Sequence, residues 1–339
     1  MDLKNVLSQL VSKNGISGDE FKASEIACSI LNNYLESHVD SFGNVCGVQR
    51  NVDENKKTIL LDAHIDEIGM IVTYITDDGF LKVSNCGGID NRVLLAQEVN
   101  ILCKNKNIKG LICSTPPHLE ADNTKVPDIE DIFVDIGMSK ESAEKIVSLG
   151  DRVVINNYLI NLQNDYVTSH ALDDRSGVAA ILYALELLKG KNPKYNICVL
   201  FSSQEETGER GAKIGAYKLD PDLAIAVDVS FALTPGEKVE NCGETQKGPM
   251  IGIAPSLSRE MSEALVKTAE SADIPYQIEV MNGKTGTNAD QISVSHSGVK
   301  TCILSIPLKY MHTPVEAISV SDVENTAKLL AKFCESEVQ

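Results

Sequence analysis

The sequence predicts an α/β fold built on a mixed sheet, with a small β-barrel-like domain inserted into it. Three observations carry this reading. A buried-strand pattern at 57–64 ends in polar residues, short β-rich segments fill 70–160, and from 173 onward strands alternate with amphipathic helices.

Residues 3–36 place Leu3, Val6, Leu7, Phe21, Ile26, Ile30, Leu31 and Tyr34 at helical spacing, broken at Asn14-Gly15, so two helices are expected. Lys57–His64 has the continuous apolar centre of a parallel strand buried on both faces, and its polar carboxyl end is where an α/β sheet gathers its chemistry. The inserted block is expected to form short strands at Met70–Ile75, Gly79–Val83, Glu98–Cys103, Gly110–Cys113 and Asp151–Ile155, with a single helix at Ser139–Leu149. The alternation then resumes with helices at 173–189, 211–217, 257–271, 288–297 and 321–335. Strands are expected at 195–201, 222–228, 276–280 and 300–305. No internal repeat, low-complexity tract or heptad pattern interrupts this order.

Composition narrows the function. With 31 Lys and Arg against 48 Asp and Glu, the formal net charge of −17 argues against a nucleic-acid or anionic-membrane partner, because like charges repel. A hydrophobic content of 43% fills a sizeable core, so a disordered chain is not expected. The start Met1-Asp2-Leu3-Lys4-Asn5 lacks a signal-peptide pattern and no stretch nears the ~20 apolar residues of a membrane span. Nine cysteines are scattered without a CxxC pair, which reads as reduced structural thiols; a soluble, cytoplasmic protein is expected.

Polar residues recur where strands end. His64-Ile65-Asp66 closes the first strand with two side chains on the same side of an extended chain, so one can bind a metal while the other orients it. Taken alone, the triplet equally describes a satisfied strand-end histidine. Asp173-Asp174-Arg175-Ser176-Gly177 opens a helix, where aspartates often only cap. The strand at 199–203 runs into Gln204-Glu205-Glu206-Thr207-Gly208, two adjacent acids that repel unless something positive holds them. A metal supplies that charge: one carboxylate ligates and its neighbour takes a proton from the attacking water. Asp228 ends the strand Leu223–Val227, and His312 follows the apolar run from Ile303. Convergence of these groups at carboxyl strand ends makes one site. His, Asp and Glu without cysteine favour zinc, cobalt or manganese, and paired metals about 3.5–4 Å apart suit hydrolysis.

These residues, in this order, resemble the M42 family of metallo-aminopeptidases, which includes glutamyl aminopeptidases and tetrahedral aminopeptidases. The likeness spans the chain through Asp62–Gly69, Ala171–Gly177, Gln204–Gly208, Asp228 and Tyr310–Pro314. It implies a di-metal peptidase domain at 1–69 and 161–339, with 70–160 as a β-rich domain for dimerisation and assembly into homo-oligomers, often dodecamers. It also implies two divalent metal ions per subunit, zinc or cobalt. Asp173 would bridge them, His64 and Asp228 would complete one, and Glu206 and His312 the other. Glu205 would be the general base acting on metal-activated water, with Asp66 orienting His64. The substrates would be peptides with a free N-terminus. His170, His118 and His296 are not ligands in the family and read as structural. Two departures stand out: Lys309 where members usually carry Arg, and Asn288 where they usually carry Asp. Both lie near elements expected to line the substrate side, which bears on specificity.

Three rival readings compete with this one. An endoglucanase-type glycoside hydrolase needs two carboxylates but usually stacks sugars on aromatics, and this chain has no Trp and only 5% aromatic residues. An aminoacylase or carboxypeptidase could use a similar sheet. A non-catalytic scaffold would not be expected to keep every one of these positions.

Overall fold

The computed structural model describes residues 1–114, 126–155 and 158–336. It shows one large mixed sheet of 11 strands and a separate closed barrel of six, as the fold class expected. Four parallel strands form the centre of the sheet, in the order Asn196–Ser202, Thr58–His64, Leu223–Phe231 and Lys300–Lys309. Antiparallel strands flank them. Val45–Val48 and Glu36–Val39 lie on one side, and Glu316–Ser319, Tyr166–Ser169 and Ile160–Asn161 on the other. Met250–Ile253 pairs with Lys300–Lys309 and carries Gln277–Val280 as an outer strand.

The central strands are apolar throughout because both faces are covered. Ile59, Leu61 and Ala63 point into the main core with Val199, Phe201, Ile225 and Val227. That core includes the helices Leu172–Leu188 and Val320–Glu335. Their alternating neighbours Leu60, Cys198, Leu200 and Ala224 face the opposite way, against Ala212 and Ala216 of the helix Arg210–Leu219.

The barrel runs Gly69–Ile75, Leu81–Cys86, Phe133–Asp135, Asn107–Ile112, Glu98–Leu102 and Arg152–Ile155, and closes on the first strand. Alternate residues such as Met70, Val72, Leu81, Val83, Val99, Ile101 and Val153 fill its interior. Closure removes the free edges that short strands would otherwise expose.

Two expected helices are much shorter than their patterns. The segment expected at Ser139–Leu149 is helical only over Lys140–Ala143 and continues as a turn, with the N–H groups of Ile146 and Val147 both on the Ala143 carbonyl, before the N–H of Gly150 donates to the Val72 carbonyl of the barrel at 2.9 Å. The helix expected at 288–297 is confined to Ala289–Ile292. His296 takes a φ of +49° and stacks on the Tyr217 ring at 4.3 Å, which turns the chain away. Among the described residues no helix is long and apolar enough to cross a membrane. All nine cysteines are free.

Candidate metal centre

Sheet register brings the predicted groups together. His64 is the last residue of its strand and lies beside Ser202, the last of the next, so the chain leaving Ser202 delivers Glu205 and Glu206 to the same end. Asp228 arrives from the neighbouring parallel strand, which runs on to Phe231 rather than ending at the aspartate. Asp173 and Asp174 start the helix Leu172–Leu188 with non-helical backbone and share a cis peptide bond. His312 enters from the turn after Lys309 with a φ of +61°.

Asp173 sits between the two histidines. Its Oδ1 is 3.0 Å from His64 Nε2, and its Oδ2 is 3.5 Å from His312 Nε2. Asp228 Oδ1 lies 3.9 Å from His64 Nε2, and Glu206 Oε2 lies 3.5 Å from His312 Nε2. Ligand atoms of His64, Asp173 and Glu206 gather within 4.8 Å of one another, and so do those of His64, Asp174 and Asp228. Asp174 is buried, with Oδ2 lacking any hydrogen-bond donor while Oδ1 accepts the N–H of Gly177 at 3.0 Å. Any side chain at 177 would meet that carboxylate, since a Cβ there would stand 2.5 Å from its oxygens.

Asp66 does more than face His64. Its carboxylate accepts the backbone N–H of Glu205 at 2.9 Å and of Glu206 at 3.2 Å, and it also takes the Ser17 hydroxyl. The His64 Nδ1 stands 3.5 Å from Asp66 Oδ1 and 3.2 Å from the Asp66 carbonyl. Two supporting acids escaped the sequence reading. Glu316 is buried and accepts the N–H of Asp173 at 3.0 Å and of His312 at 3.2 Å, tying two elements of the cluster together. Glu20 accepts the N–H of Gln204 at 3.2 Å from behind the Glu205-Glu206 turn. The signal for Glu316 was present: an acid four residues after His312, opening a short apolar strand.

Electrostatics show what the cluster lacks. Burial pushes Glu205 up to about 9, with Asp228, Asp66 and Asp173 adding repulsion that His64 only partly offsets. Burial lifts Asp228 to about 8, and Glu206 and Asp174 rise well above the usual carboxylate range from burial reinforced by neighbouring acids. Burial alone would push the His64 imidazole down, but hydrogen bonds to Asp173 and Asp66 hold it well above its usual value. So many buried acids need positive charge, and the oxygen and imidazole donors fit borderline divalent cations. A cavity of about 600 Å³ opens onto these residues. A larger apolar groove, about 730 Å³, lies against the helix Arg259–Ser271 and contains none of them.

The remaining candidates fall elsewhere. His170 is buried 3.1 Å from Glu67, yet neither ring nitrogen makes a hydrogen bond, and burial pushes the imidazole down. His296 Nε2 donates to the Tyr217 carbonyl, 2.7 Å away. His118 lies outside the described residues. The two departures stand near the cavity lining, as expected, next to Thr287 and two residues before Met311, without lining it themselves. Asn288 is buried under the sheet, donating to Asp62 at 2.8 Å and to the Ser202 hydroxyl at 2.7 Å. Lys309 lies over the Tyr166 ring, 5.4 Å from its centroid.

Comparison with known proteins places this geometry. Residues 43–329 match the family model for M42 glutamyl aminopeptidases. A lysyl aminopeptidase from Pyrococcus furiosus is 31% identical over 340 residues, covering 97% of this chain and 96% of its own. An aminopeptidase from the archaeon Desulfurococcus kamchatkensis superposes with a TM-score of 0.92 at 34% identity, over 98% of this chain and 94% of that one. The TET1 peptidase of Pyrococcus horikoshii, described as assembling into a tetrahedron or a large octahedral shell, gives a TM-score of 0.87 at 32% identity, covering 99% of this chain and all of its own.

Proposed function

Because the chain belongs to the M42 family of metal-dependent aminopeptidases, we propose that its acid and histidine cluster holds two divalent cations, zinc or cobalt, and removes single residues from the free N-termini of peptides. The observation that carries this reading is Asp173, whose two oxygens face different histidines. Asp173 would bridge the cations, His64 and Asp228 would complete one position, and Glu206 and His312 the other. Asp174 stands beside His64 and Asp228 and would hold negative charge against the first. Divalent cations held there would supply polarisation of the scissile carbonyl and a water acidic enough to be activated near neutral pH.

The chain's own residues carry the protons. Glu205 takes one from the attacking water and returns it to the departing amine, so its carboxylate must reach both partners from a fixed backbone. Asp66 fixes that backbone by accepting the N–H groups of both Glu205 and Glu206. Glu316 does the same for Asp173 and His312.

The test is the requirement for a free amine. Unblocked aminoacyl nitroanilides should be hydrolysed and their N-acetyl counterparts should not. Release of acetate from N-acetyl amino acids without cleavage of the unblocked nitroanilides would move the reading to an aminoacylase, and release of C-terminal residues from peptides to a carboxypeptidase. The family match also favours the peptidase over the glycoside hydrolase.

We further propose that residues 1–69 and 161–339 form the catalytic unit and that 70–160 mediates assembly into a homo-oligomer, with a dodecamer, the state of a related PhTET1 structure, as the model. The closed barrel and the shells of the Pyrococcus horikoshii TET1 peptidase support this. Light scattering at micromolar concentration with metal present should give a mass several times that of one chain; a monomer would sink the proposal. Free cysteines throughout suit the reducing cytoplasm.

A further inference from the structure

Two acids in the wall of the active-site cavity belong to no part of the metal cluster. Glu279, in the strand Gln277–Val280, accepts the Ser230 hydroxyl at 2.5 Å and the Ser305 hydroxyl at 2.7 Å, one on each oxygen. Two serine dipoles orient the carboxylate but leave its charge intact, and among the described residues no Lys, Arg or His nitrogen lies within 4.0 Å of it. Glu209 stands in the same wall with Oε2 shielded from solvent and no donor to it, although Gln291 and Lys284 balance part of its charge.

The rest of the lining gives these acids their meaning. Beside these acids the lining includes the apolar residues Val229, Phe231, Met281 and Met311, together with the hydroxyls of Ser230, Thr285 and Thr287. The only described lining groups able to carry positive charge are His64 and His312, and both face the metal cluster. A side chain matching this surface has an aliphatic stem and a cationic tip, which is how lysine and arginine distribute their polarity. An acidic side chain would meet Glu279 and Glu209 as like charges. A leucine would cover the Glu279 carboxylate without pairing it, which costs desolvation.

We propose that Glu279 is the specificity-determining residue of this cavity and that the enzyme takes peptides whose N-terminal residue is lysine or arginine. The inference rests on the reading of this cavity as the aminopeptidase site. The second acid, Glu209, would set the field of the pocket rather than pair with the side chain directly.

The test compares kcat/KM for lysyl, arginyl, leucyl and glutamyl nitroanilides on the metal-loaded, full-length enzyme. Lysyl and arginyl substrates should exceed leucyl by roughly 10–100-fold, the worth of one charge-assisted contact, with glutamyl lowest. The lysyl-to-leucyl ratio should fall with added salt. In Glu279→Gln that ratio should collapse by about tenfold or more, mainly through KM, and Glu279→Lys should raise the glutamyl-to-lysyl ratio. A wild-type preference for leucyl or glutamyl substrates overturns the inference alone. So does a Glu279→Gln variant that loses the same factor on every substrate, since that marks a residue gripping the common α-ammonium or merely supporting the loop. If no unblocked substrate is cleaved, the aminopeptidase reading of the cavity fails and the inference fails with it. The wild-type panel decides even if a variant does not fold.

Discussion

Stripped of divalent cations, the protein is expected to lose hydrolysis of unblocked aminoacyl substrates and to regain it when zinc or cobalt is restored. The loss has two sources. Without cations nothing polarises the scissile carbonyl. In addition, Glu205, pushed up to about 9 by burial and by its acidic neighbours, holds a proton at neutral pH and cannot accept another. Since general-base catalysis alone typically contributes ~10²–10⁴-fold, the combined loss should exceed that range. Metal binding should also raise the melting temperature, because cations held at a thousand times their dissociation constant stabilise the native state by about 4 kcal/mol. Undiminished turnover after chelation, with metal content verified by elemental analysis, would remove the metal centre from the account.

Adjacent glutamates should fail in different ways. Glu205→Gln keeps shape and hydrogen-bonding capacity but removes the proposed proton acceptor, so kcat should fall by ~10²–10⁴-fold while bound metal and KM change little. Glu206→Gln removes a charge that faces His312 and should weaken one cation position, visible as less metal per subunit and partial rescue at high metal concentration. The backbones of both are pinned by the same carboxylate of Asp66, so neither substitution should displace the other residue. Metal counts measured beside kcat for both variants decide the assignment. Loss of metal from Glu205→Gln but not from Glu206→Gln would exchange their roles, and full activity in both would dissolve the site.

What could be read from the chain, and what could not, divides along physical lines. The central strands were legible because burial on both faces leaves uninterrupted apolar runs such as Ile59-Leu60-Leu61. His64 and the Glu205-Glu206 pair stood out because polar residues abruptly follow those runs. Asp174 and Glu316 did not. The first is indistinguishable in sequence from a capping aspartate, and the second acts through the N–H of Asp173, 143 residues away. The barrel showed its texture, but the pairing of Arg152–Ile155 with Gly69–Ile75 that closes it is non-local and left no mark. The early end of the helix after Ile292 was equally hidden, because it depends on a ring contributed by Tyr217. Asn288 was legible only through its neighbours: Gly286 and Thr287 line the cavity, as the motif suggested, while its own amide is spent on Asp62 and Ser202.

The spread of the proposed centre along the chain, from His64 to His312, also governs when the enzyme comes into being. Each group is set by a different strand or turn, and the groups meet only when distant strands have paired, so no early portion of the chain assembles the cluster. A growing polypeptide still lacking residue 312 has neither the second histidine nor Glu316, which ties that histidine's backbone to Asp173. On the proposed centre, a chain truncated before residue 312 is therefore expected to be inactive, which assay of such a truncation on unblocked aminoacyl nitroanilides checks.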